Sequence, residues 1–218
     1  MVLLLHLLQP GQMPSGQMKL AHRLVAQARY EIIPGLKTTE KAVTDLPSSV
    51  TQVSVTCSPT HGIAATMDLS EALLMRGYRV VPHFAARLVS GPKHTQNLAR
   101  WTKEKGIEEV FIIGGDSPNS TFYSSAEPFM SDFLLHDSGV KIIGFAAYPD
   151  GHNNITKDAL NAVLHRKQQL LTDAGIRGLV STQMCFDASK IKSWLHELRQ
   201  DGFVLPVLLG VPGTSLII

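Results

Sequence analysis

The stretch Gly106-Ile107-Glu108-Glu109-Val110-Phe111-Ile112-Ile113-Gly114-Gly115-Asp116 holds three signals in a row. A glycine closes a helix-length segment. An apolar, β-branched run follows, and that run stops on two glycines and a carboxylate. Glycine just past a helix end supplies the left-handed conformation that halts the helix. Val, Ile and Phe in a short run favour a strand. The same unit recurs around Gly77, Gly139, Gly175 and Gly202, each placed between a helical pattern and an apolar run. The spacing predicts helices over residues 66–76, 95–105, 126–136, 157–174 and 188–200, the last with Asp187 as N-cap. It predicts seven strands, over 28–33, 52–57, 78–84, 109–114, 140–147, 178–186 and 204–211. Strands alternating with helices mean parallel pairing through right-handed crossovers.

The strand ends repeat a second pattern. Each of six successive runs finishes on a polar or ionisable side chain: Glu31, Thr56, His83, Asp116, then Tyr148 and His152, then Gln183. In a parallel α/β fold the carboxyl ends of the strands share one face, so residues scattered along the chain gather there, as at the mouth of a TIM-type (β/α)8 barrel. Only seven strands are evident, so the expectation is an incomplete barrel lacking its eighth strand. Residues 1–14, with Pro10, Gly11 and Pro14, read as a flexible lead, and 15–218 as one barrel domain without its C-terminal strand and helix.

Composition narrows the function classes. The chain has 218 residues, 44% hydrophobic and 17% charged, with a net charge of +2. That suits one globular domain with a full core. The basic residues are scattered, which argues against a nucleic-acid surface. Cys57 and Cys185 lie far apart with no metal-type spacing, so no metal site is expected and a reduced, cytoplasmic setting is. The apolar start Val2-Leu3-Leu4-Leu5 is interrupted by His6 and Gln9-Pro10, too short to span a bilayer and unlike a signal peptide.

The strand-end residues resemble, in order, those of the methylenetetrahydrofolate reductase family. Tyr30-Glu31-Ile32-Ile33-Pro34 is similar to that family's Phe-Glu-Phe-Phe-Pro. Ser54-Val55-Thr56-Cys57 matches its Ser-Val-Thr-Tyr, and Pro82-His83 its Pro-His pair. Gly114-Gly115-Asp116 stands where the family has Arg-Gly-Asp. Ala147-Tyr148-Pro149-Asp150-Gly151-His152 matches Ala-Tyr-Pro-Glu-x-His. Asp173-Ala174-Gly175 and Thr182-Gln183-Met184-Cys185-Phe186-Asp187 match Asp-Ala-Gly and Thr-Gln-Phe-Phe-Phe-Asp, and Gly210-Val211-Pro212 its Gly-Ile-x-Pro.

The resemblance implies an oxidoreductase of one-carbon metabolism. Hydride passes from NAD(P)H, by way of FAD, to 5,10-methylenetetrahydrofolate and gives 5-methyltetrahydrofolate. It implies Glu31 as general acid, because opening the five-membered ring needs a proton on the departing nitrogen. Asp116 would act beside folate and flavin, Gln183 would hydrogen-bond the pterin edge, and Thr56, His83, Gly115, Asp116, Tyr148 and His152 would line the flavin. Read without the family, Glu31 also fits a strand-end ion pair, Asp116 a turn followed by a helix cap, and Gln183 a core amide. Met184–Phe186 reads as core and wall.

Two departures fall on the flavin site. Gly114 replaces the family's arginine. Leu170-Leu171-Thr172 carries no charge where the family places a cation for the diphosphate. Arg166 and Lys167 lie one to two turns earlier and need not face the same way. A folate-binding or methyl-transfer relative without reductase activity, or a non-functional barrel fragment, are the alternatives, and a homo-oligomer is left open.

Overall fold

The computed structural model describes residues 2–6, 28–35, 44, 46, 52–117 and 122–212. Its strands, in chain order, are β1 (Val2–His6), β2 (Arg29–Ile32), β3 (Gln52–Val55), β4 (Arg79–Ala85), β5 (Glu109–Ile113), β6 (Ile142–Ala147), β7 (Arg177–Thr182) and β8 (Val207–Pro212). From β2 to β8 each strand pairs in parallel with the next. Between them run α1 (Gly62–Met75), α2 (Pro92–Glu104), α3 (Ala126–Phe133), α4 (Lys157–Asp173) and α5 (Ala188–Gln200). All five helices fall where the sequence pattern put them. The glycines that follow them, Gly77, Gly106, Gly139, Gly175 and Gly202, all have positive φ. Asp187 caps α5 by accepting from the backbone N–H groups of Ser189 and Lys190.

The expectation of an incomplete barrel holds in part. The parallel set does stop at seven, but the ring is closed. The closing strand is β1, drawn from the segment read as a flexible lead. It runs antiparallel to both neighbours, pairing Val2 with Glu31 on one side and with Pro212 on the other. A strand inserted antiparallel needs no crossover helix. It satisfies the backbone edges that β2 and β8 would otherwise expose. Residues 1 and 7–14 of the expected lead lie outside the described residues.

The core has two layers. Outside the ring, under the helices, Phe84, Phe129 and Phe133 are fully buried and meet one another and Trp101 at tilted or edge-on angles. Burying each such ring contributes on the order of 2 kcal/mol. Inside the ring, Val81, Phe111, Leu179 and Leu208 fill the middle. The ring of Phe111 takes the space that a side chain at Gly144 would need, since a Cβ there would sit 2.4 Å from Phe111 Cδ2.

Candidate active site

The strand register sets out the barrel mouth. Thr56 leaves the sheet beside Ile32, with its N–H donating to the Ile32 carbonyl at 3.0 Å. β6 and β7 stay paired up to Ala147 and Thr182, and the Gln183 N–H donates to the Ala147 carbonyl at 2.8 Å. Tyr148 and Gln183 therefore emerge side by side. A cleft of about 1280 Å³ opens at this end, and Glu31, Thr56, His83, Gly115, Asp116, Tyr148, His152 and Gln183 all line it. The structure thus brings together every candidate residue read from the sequence.

Their environments differ sharply. Glu31 and His83 lie deep, with His83 Nε2 3.8 Å from Glu31 Oε2. That is too long for a hydrogen bond. Burial raises the Glu31 carboxyl above its ordinary value, against the lowering effect of the amino-terminal charge and of Arg29. Burial, with the Arg29 charge behind it, pushes His83 down to about 3. The imidazole is therefore neutral near pH 7, and the pair is not an ion pair in spite of its geometry. The His83 ring rests on Phe111 at 4.7 Å.

Two neighbouring strands, β3 and β4, place unsatisfied atoms on this side of the barrel. Ser54 Oγ, Thr56 Oγ1 and His83 Nε2 are buried and have no hydrogen-bond partner among the described residues. Buried polar atoms are nearly always paired with protein or water, so these atoms are open to a ligand or to water.

The rim is wetter. Asp116, His152 and Gln183 are exposed and Tyr148 is half-buried. Tyr148 and His152 pack edge to face at 5.1 Å. Burial, and then the charge of Asp116, raise the Tyr148 phenol above its ordinary value. Gln183 Oε1 accepts from the Met184 N–H at 3.0 Å, which leaves its amide N–H groups directed elsewhere. Asp116 follows Gly115, whose φ of +86° and whose approach to Ala85 (2.9 Å from a Cβ placed there) suit glycine alone. Met184 and Phe186 are exposed rather than core, at 41% and 79%. Cys185 between them is buried and its thiol is free.

Four cations line the cleft that the strand-end pattern did not single out: Lys157 and Lys190, paired with Glu197 and Asp150, and Arg87 and Lys167. Arg87, just past β4, donates from Nε to the Ser124 carbonyl at 3.0 Å and from Nη1 to the Ser117 carbonyl at 3.4 Å. Lys167 turns inward from α4. It is 7% exposed, with Nζ 5.0 Å above the Phe145 ring. Burial lowers it to about 8, partly opposed by the charge of Glu127. Its neighbour Arg166 is more exposed and pairs at 2.9 Å with Glu127, the same carboxylate whose charge reaches Lys167. The signal was in the spacing: Leu160, Leu164, Lys167 and Leu171 repeat at intervals of four, three and four, one face of a helix. Ser125 and Ala126, at the start of α3, also line the cleft, and Ser125 makes no side-chain cap there.

Among the described residues no cluster of His, Cys, Asp or Glu is arranged to hold a metal ion. No helix among them is long and apolar enough to cross a membrane.

No family model matches the chain. It is similar to a deoxyribose phosphate aldolase from Aeropyrum pernix, with 14% identity over 72% of this chain, and it spans 60% of the aldolase, at a TM-score of 0.46. It is similar also to an NADH-dependent enoyl-[acyl-carrier-protein] reductase from Aquifex aeolicus, with 12% identity over 79% of each chain and a TM-score of 0.41. A metagenomic short-chain oxidoreductase follows at 11% identity, over 83% of this chain and 95% of that one, with a TM-score of 0.37. Likenesses this slight do not bear on chemistry, so the functional reading rests on the cleft itself.

Proposed function

We propose that the cleft reduces 5,10-methylenetetrahydrofolate to 5-methyltetrahydrofolate with hydride from NAD(P)H, as in the methylenetetrahydrofolate reductase family. The observation that supports this best is Glu31. It is a half-buried carboxyl held above its ordinary value beside a neutral imidazole, at the position where the family motif places the acid. A carboxyl in that state holds a proton nearer neutral pH and can deliver it to the departing ring nitrogen. His83, being neutral, does not neutralise it.

Asp116 at the rim sets a negative charge where the ring-opened iminium needs one. The free amide N–H groups of Gln183 suit the acceptors on a pterin edge. Phe111 and Ile113 in the cleft lining give the heterocycle an apolar surface.

The residues present fit an FAD diphosphate. Lys167, Arg87 and the first amides of α3 together offer cationic and N–H donors in one part of the cleft. They stand in for the cations missing at Gly114 and at Leu170–Thr172. Bound there, a flavin would supply the hydride relay between nucleotide and folate.

A visible spectrum of the purified protein, before and after adding FAD and desalting, tests this reading. Retained oxidised-flavin bands, together with methylenetetrahydrofolate-dependent NAD(P)H oxidation, are the expected result. A folded protein that stays colourless and oxidises no NAD(P)H with the folate would overturn it. Gly114 favours a second reading, in which the protein binds folate without reducing it. Folate binding with no nucleotide oxidation would select that one.

A further inference from the structure

A charged network lies across the barrel interior beneath the mouth. Arg29 Nη2 is 2.7 Å from Glu109 Oε1 and donates to Gln52 Oε1 at 3.1 Å. Gln52 Nε2 donates to Glu109 Oε2 at 2.8 Å. The three residues begin β2, β3 and β5. Since β2 and β5 are not sheet neighbours, Arg29 and Glu109 meet through the inside of the ring. Both are buried, at 7% and 4% exposure.

Such a network is a poor source of stability, because apolar residues of similar size are often as good or better. Here it is also incomplete. Arg29 Nε and Nη1 are buried with no acceptor among the described residues. A guanidinium cannot shed its charge to relieve that cost.

Glu31 stands two residues along β2, on the same inward face as Arg29. Among the described residues the charged or titratable groups acting on it are few. They are Arg29 on its own strand, His83 from β4, and Glu109 from β5 by way of Arg29. The amino-terminal charge acts on it as well.

We propose that Arg29 is a positioning residue, which, tethered by Glu109 and Gln52, fixes where the proton resides between Glu31 and His83. This deepens the assignment of Glu31 as the acid and rests on it. Burial favours the proton on Glu31, while the amino-terminal charge and Arg29 act the other way. Burial first, and the Arg29 charge with it, keeps the proton off His83, 3.8 Å away. Glu109 tempers the effect by neutralising part of Arg29.

The test does not depend on turnover. With side-chain carboxyl carbons of glutamate labelled with carbon-13, the Glu31 signal is assigned by its loss in Glu31→Gln, and its titration is followed by NMR. Arg29→Met is expected to raise the Glu31 midpoint and to raise that of His83. Glu109→Gln is expected to lower the Glu31 midpoint, because Arg29 is then uncompensated. General loosening of the barrel would move both variants the same way, towards ordinary values. Arg29→Lys, which keeps the charge, should stay near wild type.

A Glu31 midpoint unmoved in both variants, or moved in one direction by both, overturns the proposal. If Arg29→Met does not fold, Glu109→Gln alone decides it. Retention of folate reduction by Glu31→Gln would sink the acid assignment instead, whatever the titrations show.

Discussion

Lys167 Nζ lies 5.0 Å from the centre of the Phe145 ring, so this buried cation of α4 rests on an aromatic face. An ammonium gains on the order of 1 kcal/mol from such a contact, less than burial takes from it. The site is therefore more favourable to Lys167 when an anion arrives. Lys167→Met is expected to weaken FAD binding by roughly ten- to a hundred-fold, the loss of one charge-assisted hydrogen bond. Flavin retention during dilution measures it.

The same residue makes a prediction for the ligand-free protein. Its value is about 8 when folded against 10.5 ordinarily. Between those limits the unfolded chain holds a proton that the folded chain has shed, so stability rises with pH. Below about 8 the full penalty applies, on the order of 3 kcal/mol. Lys167→Met removes it and should raise the melting temperature at pH 7 while flattening the alkaline rise. Melting curves over that pH range give the answer.

Glu31→Gln keeps the size of the side chain but cannot release a proton. Folate reduction is expected to fall by about 10² to 10⁴-fold, while NAD(P)H oxidation by an artificial acceptor continues. Stopped-flow traces of the two half-reactions separate these effects. Equal loss of both would remove Glu31 from the acid role.

His83 governs the acid side of the stability curve. It sits at about 3 when folded against 6.5 ordinarily. As pH falls through that interval the unfolded chain takes up a proton that the folded chain refuses, and stability drops. Glu31, shifted upward, acts in the opposite sense, since its contribution is full at low pH and is lost as pH rises. His83→Gln should make urea midpoints less sensitive to pH between about 6 and 4. An unchanged slope would count against a buried neutral imidazole.

Gly115→Ala forces a side chain into a left-handed conformation and against Ala85. The backbone term alone costs about 1–2 kcal/mol, and the loop that presents Asp116 must shift. Both a lower urea midpoint and weaker folate binding are expected. Gly114→Ala, at a position with open space around its Cβ, should be mild by comparison.

The helices and parallel strands were legible because each repeats one local grammar of glycine stop, apolar run and polar end. The grouping of Glu31 with Gln183 was legible for a topological reason, since parallel strands share a carboxyl face. Lys167 could have been read from the spacing of Leu160, Leu164 and Leu171 had the helix been considered as a face. β1 could not, because five apolar residues before His6 and Pro10 show neither a partner nor a direction. The Arg29–Gln52–Glu109 network was hidden for a similar reason. Charged residues that open strands look solvent-facing until the ring shows them meeting across its bore.

Antiparallel insertion of β1 also has a consequence for folding kinetics and for re-engineering the chain. The seam joins Val2 to Pro212, among the longest sequence separations the chain offers, so its loop-closure cost falls late and makes the ring slow to seal. Yet those partners run antiparallel, and a tight turn can link such strands as a hairpin. A circular permutant joining β8 to β1 through a short Asn-Gly turn, with new ends in the exposed Asp201-Gly202 turn, would convert the slowest contact into the most local one.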